Sequence, residues 1–235
     1  MLEELKQKVL IANLKLVEYN LVTFTWGNVS GIDRDKGLMV IKPSGVKYEE
    51  LTIDDLVVLD LQGNIIEGKL NPSTDTPTHL YLYNKYPDLG GITHTHSVYA
   101  TSWAQAGLDI PPLGTTHADN FYGPVPCTPH LAMSKIKTNY EYETGVMIAK
   151  TFTTRSLDPQ KMPAILCNNH GPFTFGNSPL ASVEMAKVLE IVAQMAYQGY
   201  GLNQNTNKIS QELLDKHYYR KHGETAYYGQ PRKKL

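Results

Sequence analysis

The chain has 235 residues, of which 41% are hydrophobic and 19% are charged. Its 22 basic and 23 acidic side chains nearly cancel, so no strong field is available to attract nucleic acid or an anionic membrane. No apolar run is long enough to span a bilayer, and the N-terminal residues do not have the pattern of a signal peptide, so we expect a cytoplasmic protein that binds neither nucleic acid nor membranes.

The first third of the chain predicts a helix, a set of strands and a second helix. Apolar residues at helical spacing predict an amphipathic helix over residues 2–17. Short β-rich runs separated by Gly, Asp and Asn turn signals predict antiparallel strands between residues 23 and 68. Pro77 then favours a helix over residues 76–86, because proline at a helix start gives up only an amide hydrogen that would be unpaired anyway.

The rest of the chain continues to alternate strands and helices. We predict strands over residues 91–96 and 164–170, and helices over residues 97–106 and 179–197. The stretch from 111 to 129 is rich in Gly and Pro and predicts a long ordered loop with a functional role.

This alternation predicts an α/β fold. We expect three layers, α/β/α, with a central mixed and mostly antiparallel sheet. The sequence contains no internal repeat or low-complexity linker, so we expect a single domain over residues 1–235. Cys127 and Cys167 are too few and too far apart for a disulfide framework, and we expect both to be reduced.

Three histidines suggest a metal site. Alternate side chains of a strand point to the same face, so His94 and His96 can both reach one ion. His170, at the end of an apolar run and before Gly-Pro, suits the third position, although paired histidines also occur without a metal. Three imidazoles with an open position are typical of catalytic zinc sites. Asp75, just before a predicted helix, is either a further ligand, a proton acceptor or a helix cap.

Two glycine-containing segments, GNVSG at 27–31 and KPSGV at 42–46, are candidates for anion binding. Glycine lets the backbone approach an anion closely, while Ser, Asn and Lys side chains supply hydrogen-bond donors. Each segment taken alone is equally compatible with an ordinary turn.

Five motifs, in this order and at this spacing over nearly the whole chain, resemble the class II aldolase/epimerase family. They are PSTDTPTH (72–79), GGITHTHSVYATSWAQAG (90–107), TTHADNFYG (115–123), NNHGPFTFG (168–176) and DKHYYRKHGETAYYGQ (215–230).

The resemblance implies a divalent metal, usually zinc and otherwise manganese or cobalt, on His94, His96 and His170 with Asp75 as fourth ligand. Family aldolases have a glutamate in place of Asp75, so the aspartate favours an epimerase. The resemblance also implies that a substrate phosphate is bound by Gly27, Asn28, Lys42, Ser44, Gly45, Ser73 and Thr74. Asn168 and Asn169 depart from the family pattern beside the metal.

The implied reaction interconverts L-ribulose 5-phosphate and D-xylulose 5-phosphate. Carbon 4 of this pentulose is not adjacent to the carbonyl, so simple deprotonation cannot invert it. Carbon 4 can be inverted in three steps: retro-aldol cleavage of the C3–C4 bond, rotation of the aldehyde, and re-addition to the opposite face of that aldehyde. Two acid/base groups on opposite faces are then needed. The resemblance assigns these to Asp119 and Tyr228, with His217 and His117 as possible assisting residues.

The family also implies a quaternary structure. A tail over about residues 215–235 is expected to dock at a subunit interface and complete a neighbour's active site in a cyclic homotetramer. Three alternatives remain open at this point: an aldolase that releases its aldehyde, an epimerase of ascorbate breakdown instead of arabinose use, and a non-catalytic domain resembling the adducin head. The last lacks metal ligands, so the three histidines disfavour it.

Overall fold

One seven-stranded sheet forms the centre of the computed structural model, which describes residues 2–223 and 226–229. The strand order is β4-β3-β2-β1-β5-β7-β6, and every neighbouring pair is antiparallel. Within the described residues, parallel pairing is limited to an isolated bridge between Cys127 and Leu166. The strands are β1 (Asn28–Asp33), β2 (Leu38–Ile41), β3 (Val57–Asp60), β4 (Ile65–Glu67), β5 (Gly91–His94), β6 (Ala164–Leu166) and β7 (Pro172–Gly176).

Helices cover both faces of this sheet. They are α1 (Glu3–Glu18), α2 (Thr76–Lys85), α3 (Val98–Ala106), α4 (Thr115–Ala118), α5 (Met133–Thr154), α6 (Pro179–Leu202) and α7 (Gln211–Lys221). In the described part of the chain, no helix is both long and apolar enough to cross a bilayer.

The alternation of side chains along the strands explains the layering. Met39 and Ile41 of β2 share a core cluster with Tyr83 of α2 and Phe152 of α5. Val40, which lies between them in sequence, belongs to a different cluster with residues of α1. Successive residues of a strand point to opposite faces, so α2 and α5 cover one face and α1 covers the other. The predicted three-layer α/β/α fold is confirmed.

The first helix is confirmed, and the face that carries its helically spaced residues is partly buried. Val9 and Asn13 of this set are fully buried, whereas Leu14 and Val17 are 41% and 42% exposed. Asn13 is buried because its side chain bonds the backbone N–H and C=O of Val29 and the carbonyl of Val9. A polar residue that satisfies the backbone of a neighbouring strand therefore sets the orientation of this helix.

Several boundaries also differ from the predictions. The strand expected over 164–170 ends at Leu166, because the chain then turns back, with Asn169 at φ 60°, to enter β7. The strand expected over 91–96 ends at His94, and the helix expected over 179–197 continues to Leu202. The loop at 111–129 contains the four-residue helix α4, while α5 and α7 were not predicted.

Candidate active site

His94, His96 and His170 lie together at one end of the sheet. His94 is the last residue of β5, where it pairs with Phe173 of β7. His96 follows before α3, and His170 lies in the turn that joins β6 to β7. One ligand atom from each of the three rings lies within 4.8 Å of the other two. Pairing of β5 with β7 thus brings together histidines that are 76 residues apart in sequence (94 to 170).

The three imidazoles are neutral and have nitrogen lone pairs available. Nδ1 of His94 donates a hydrogen bond to the Pro172 carbonyl at 2.9 Å, so the lone pair is on Nε2, 3.1 Å from Nε2 of His96. Burial lowers the pKa of His94 and of His170 to about 3, and it also lowers the pKa of His96. Nδ1 of His170 is buried without a hydrogen-bond partner among the described residues. Neutral imidazole is the form that binds a metal.

Asp75 directs its carboxylate towards these histidines. It occupies the position before α2 but makes no capping hydrogen bond to that helix. Its Oδ2 accepts a hydrogen bond from Asn28 at 2.7 Å and lies 4.0 Å from Nε2 of His94. Asn28 also donates to Ser73 at 3.0 Å. Three imidazoles and one carboxylate form a donor set that fits a divalent cation such as zinc.

The residues expected to bind phosphate line the same cavity as the histidines. This cavity has a volume of about 560 Å³. Ser73 donates its backbone N–H to the carbonyl of Lys42 at 3.0 Å, which joins the two phosphate segments. Gly27 and Gly45 have φ of 76° and 69°, a conformation that favours glycine. The expected residues that line the cavity are Gly27, Asn28, Lys42, Ser44, Gly45, Ser73, Thr74, Asp75, His94, His96 and His170.

Lys42 is a buried cation without a carboxylate partner. Only 1% of its surface is exposed, and its Nζ donates to the carbonyls of Val46 at 2.8 Å and Pro43 at 3.3 Å. Nζ also lies 4.8 Å from the centre of the Tyr48 ring. Burial lowers the pKa of Lys42 to about 8. Because none of the described carboxylates forms an ion pair with it, this ammonium is available to an anionic ligand in the cavity.

Four residues that line the cavity lie outside the segments predicted for the site: Thr25, Trp26, Tyr140 and Glu141. The Trp26 ring lies 6.0 Å from the His96 ring, and the Tyr140 ring lies 5.8 Å from that of His170. Trp26 could have been found, because it directly precedes the GNVSG segment. Tyr140 and Glu141 carry no such signal, because they sit in an ordinary helical sequence.

The remaining expected residues form a second cluster. Asp119, at the end of α4, accepts hydrogen bonds from Arg220 at 2.8 and 2.6 Å and lies 3.1 Å from Nδ1 of His217. Tyr228 donates its backbone N–H to the Arg220 carbonyl at 2.9 Å, and its ring centre is 5.1 Å from the guanidinium carbon. Burial alone would raise the pKa of Asp119, but the bonds from Arg220 and His217, together with Lys221, lower it.

This second cluster is separate from the cavity within one chain. Asp119, His217, Tyr228 and His117 are not among the described residues that line it. Tyr228 is 61% exposed, whereas His117 is buried and its Nε2 donates to the Gly123 carbonyl at 2.8 Å inside its own loop. Of the tail expected at about 215–235, residues 224, 225 and 230–235 fall outside the described residues.

Comparison with known proteins gives a consistent result. A family model described as Class II Aldolase and Adducin N-terminal domain matches residues 7–197. Relatives from Salmonella paratyphi A (strain ATCC 9150 / SARB42) and Salmonella typhi, both named L-ribulose-5-phosphate 4-epimerase UlaF, are each 52% identical over 229 residues, covering 97% of this chain and 100% of the relative.

Solved structures show the same fold. An L-fuculose 1-phosphate aldolase superposes with a TM-score of 0.78 at 25% identity, covering 92% of this chain and 95% of its own. An L-fuculose-1-phosphate aldolase from Thermus thermophilus superposes with a TM-score of 0.65 at 21% identity, covering 87% of this chain and 98% of its own.

Proposed function

Because the chain belongs to the class II aldolase and adducin N-terminal domain family, we propose that it interconverts L-ribulose 5-phosphate and D-xylulose 5-phosphate. Its similarity to the two epimerases supports the choice of substrate. The observation that carries the chemistry is one cavity lined both by three neutral histidines and by a buried lysine. A sugar-phosphate substrate needs both features, because a cation held by the histidines can bind the sugar oxygens and the lysine can bind the phosphate.

Dependence on a divalent metal is general for this family, and the residues present fit one. His94, His96 and His170 would hold it, with the Asp75 carboxylate as fourth ligand, and zinc, manganese or cobalt suits this donor set. A divalent cation, when bound, supplies Lewis-acid stabilisation of the negative charge that develops as the C3–C4 bond breaks.

The phosphate segments retain the aldehyde fragment. Lys42 is held by carbonyls of its own loop, so its ammonium is fixed before a ligand arrives. Backbone amides near Gly27 and Gly45, together with the hydroxyls of Ser44 and Ser73, supply further donors. A phosphate anchored there leaves the aldehyde of the same fragment free to rotate, and rotation followed by re-addition inverts carbon 4.

Asp119 and Tyr228 exchange protons with the C4 oxygen on its two faces. His217 and Arg220 orient the Asp119 carboxylate, and Arg220 also packs against the Tyr228 ring. His117 supports this group indirectly, through the bond that closes its own loop.

These two groups reach the substrate from a neighbouring subunit. Asp119 and Tyr228 are not among the described residues lining their own chain's cavity, and Tyr228 is exposed. Beside the cavity, Phe24 is 78% and Trp26 50% exposed, which leaves apolar surface for a second copy to cover. A cyclic homotetramer brings each tail to the next cavity. A stable, active monomer in light scattering would contradict this arrangement.

A second candidate is a sugar-phosphate aldolase that releases its aldehyde. The structural similarity to an L-fuculose 1-phosphate aldolase supports this alternative. Both reactions share the cleavage step and differ in whether the aldehyde leaves. Accumulation of dihydroxyacetone or its phosphate from a sugar phosphate would identify this alternative.

The decisive experiment is a coupled assay for D-xylulose 5-phosphate formed from L-ribulose 5-phosphate. It is run on protein as purified, after chelation, and after zinc is added back. We expect turnover that disappears on chelation and returns with zinc. Metal-loaded protein without turnover would overturn the proposed reaction.

A further inference from the structure

Helix α3 begins two residues after His96 and lacks a cap from its own N-cap residue. Ser97 occupies the N-cap position but makes no capping hydrogen bond. Its hydroxyl oxygen is buried and has no partner among the described residues. Because the first amides of a helix have no partner inside it, a buried helix start needs an acceptor from elsewhere.

Glu190 of α6 supplies that acceptor. One carboxylate oxygen accepts the backbone N–H of Tyr99 at 2.8 Å, and the other accepts that of Ala100 at 2.9 Å. These are the amides that an N-cap side chain normally binds. The bonds are charge-assisted, and the carboxylate lies at the positive end of the α3 dipole. The Trp103 indole N–H also donates to the Ala193 carbonyl at 3.0 Å, so α3 is fixed to α6 at a second point.

His96 depends on this attachment more than His94 does. His94 is anchored within the sheet, paired with Asn28 on one side and Phe173 on the other. His96 lies beyond the end of the strand and is exposed. The segment that carries it is therefore held between the sheet, where the Thr95 amide donates to the Pro172 carbonyl at 3.4 Å, and the Glu190 carboxylate at Tyr99.

We infer that Glu190 is a positioning residue, which places the His96 imidazole in the metal centre by fixing the start of α3. This inference rests on the proposed metal site. Glu190 is not among the described residues that line the cavity, and its hydrogen bonds at α3 are to backbone amides. Its removal should weaken metal binding more than a comparable loss of helix capping elsewhere.

The test compares Glu190→Ala and Glu190→Gln with Ser178→Ala. Ser178 caps the N-terminus of α6, the helix that carries Glu190, by accepting the Ala181 amide at 3.2 Å, so its variant controls for a lost capping bond. Zinc affinity is measured by chelator competition, and thermal unfolding is measured on the metal-free proteins. We expect zinc to bind Glu190→Ala about tenfold more weakly, as for other residues that support metal ligands, while Ser178→Ala keeps its affinity.

Glu190→Gln keeps the shape and one of the two bonds, so its affinity should lie between those of wild type and Glu190→Ala. The absorption of the cobalt-loaded protein should change in the Glu190 variants and not in Ser178→Ala. Unchanged zinc affinity in both Glu190 variants, with wild type binding zinc, would overturn the inference alone. A wild type that binds no divalent metal would overturn the proposed function as well.

Discussion

Replacing Lys42 with methionine tests whether its buried ammonium binds the substrate phosphate. Burial lowers the pKa of Lys42 to about 8, so the ammonium of the free protein is lost as the pH rises through that value. For a ligand that requires this ammonium, the apparent dissociation constant grows with the neutral fraction, about tenfold between roughly pH 7 and pH 9. Loss of a charge-assisted hydrogen bond costs about 1.5–3 kcal/mol. The variant should therefore bind about 10- to 150-fold more weakly, at about 1.4 kcal/mol per tenfold change.

The assay is the KM for L-ribulose 5-phosphate over this pH range, together with inhibition by inorganic phosphate. Lys47→Met is the matched control, because Lys47 lies on the same loop but its side chain is 64% exposed and pairs with Glu50 at 3.5 Å. Wild type and Lys47→Met should show the rise in KM with pH, whereas Lys42→Met should show a high KM that is flat. A flat wild-type profile, or a Lys42→Met variant with wild-type KM, would refute the reasoning.

Three further predictions concern the sharing of the site between subunits, the buried histidines and Trp26. The His96→Asn variant should lose zinc and turnover, whereas Tyr228→Phe should keep zinc and lose turnover. Mixed oligomers of the two variants should regain activity, because some of their sites combine an intact His96 with an intact Tyr228 from the neighbouring subunit. Mixed oligomers without activity would contradict a site shared between subunits. Burial lowers the pKa of His79 and His94 to about 3, so below about pH 6.5 the unfolded chain binds more protons than the folded one. The free energy of unfolding of the metal-free protein should therefore fall by roughly 1.4 kcal/mol for each pH unit of acidification and for each of these histidines. Unfolding temperatures at about pH 7 and pH 5 measure this loss, and equal values would exclude it. Trp26→Ala opens the cavity mouth and should raise aldehyde release several-fold per epimerisation in a trapping assay; unchanged release would show that Trp26 does not retain the fragment.

The layering of the fold could be predicted because it follows from local patterns. The strands of the first half have turn signals at their ends, and proline at 77 marks the start of α2. The exposure of Leu14 and Val17 on α1 could not be predicted, because both are apolar and lie at helical spacing with buried residues of that helix. The partner that buries Asn13 is the backbone of Val29 on β1, and no local pattern reveals that contact.

The histidine cluster was predictable because two of its members are on one strand and the third precedes a Gly-Pro turn. The residues that we infer to orient the site are different. Glu190 is 91 residues from Tyr99 in sequence, and Arg220 is 101 residues from Asp119. A glutamate or arginine on an amphipathic helix looks like part of an exposed charged face. Only the packing of α3 on α6 and of α4 against α7 gives these side chains their partners.

In the proposed mechanism, the ionisation of Asp119 determines which proton transfers the resting site can start. Hydrogen bonds from Arg220 and His217 keep its pKa below the usual range, so at neutral pH it accepts a proton and does not donate one. The oxygen formed by re-addition on the other face must then take its proton from the phenol of Tyr228. After one turnover Asp119 carries a proton and Tyr228 has lost one. Because Tyr228 is exposed, solvent can return a proton to its phenolate. His217, 3.1 Å from Asp119, can take up the proton that the Asp119 carboxyl has gained. The substrate whose C4 hydroxyl faces Asp119 therefore reacts from the predominant protonation state, and its epimer requires the rarer one.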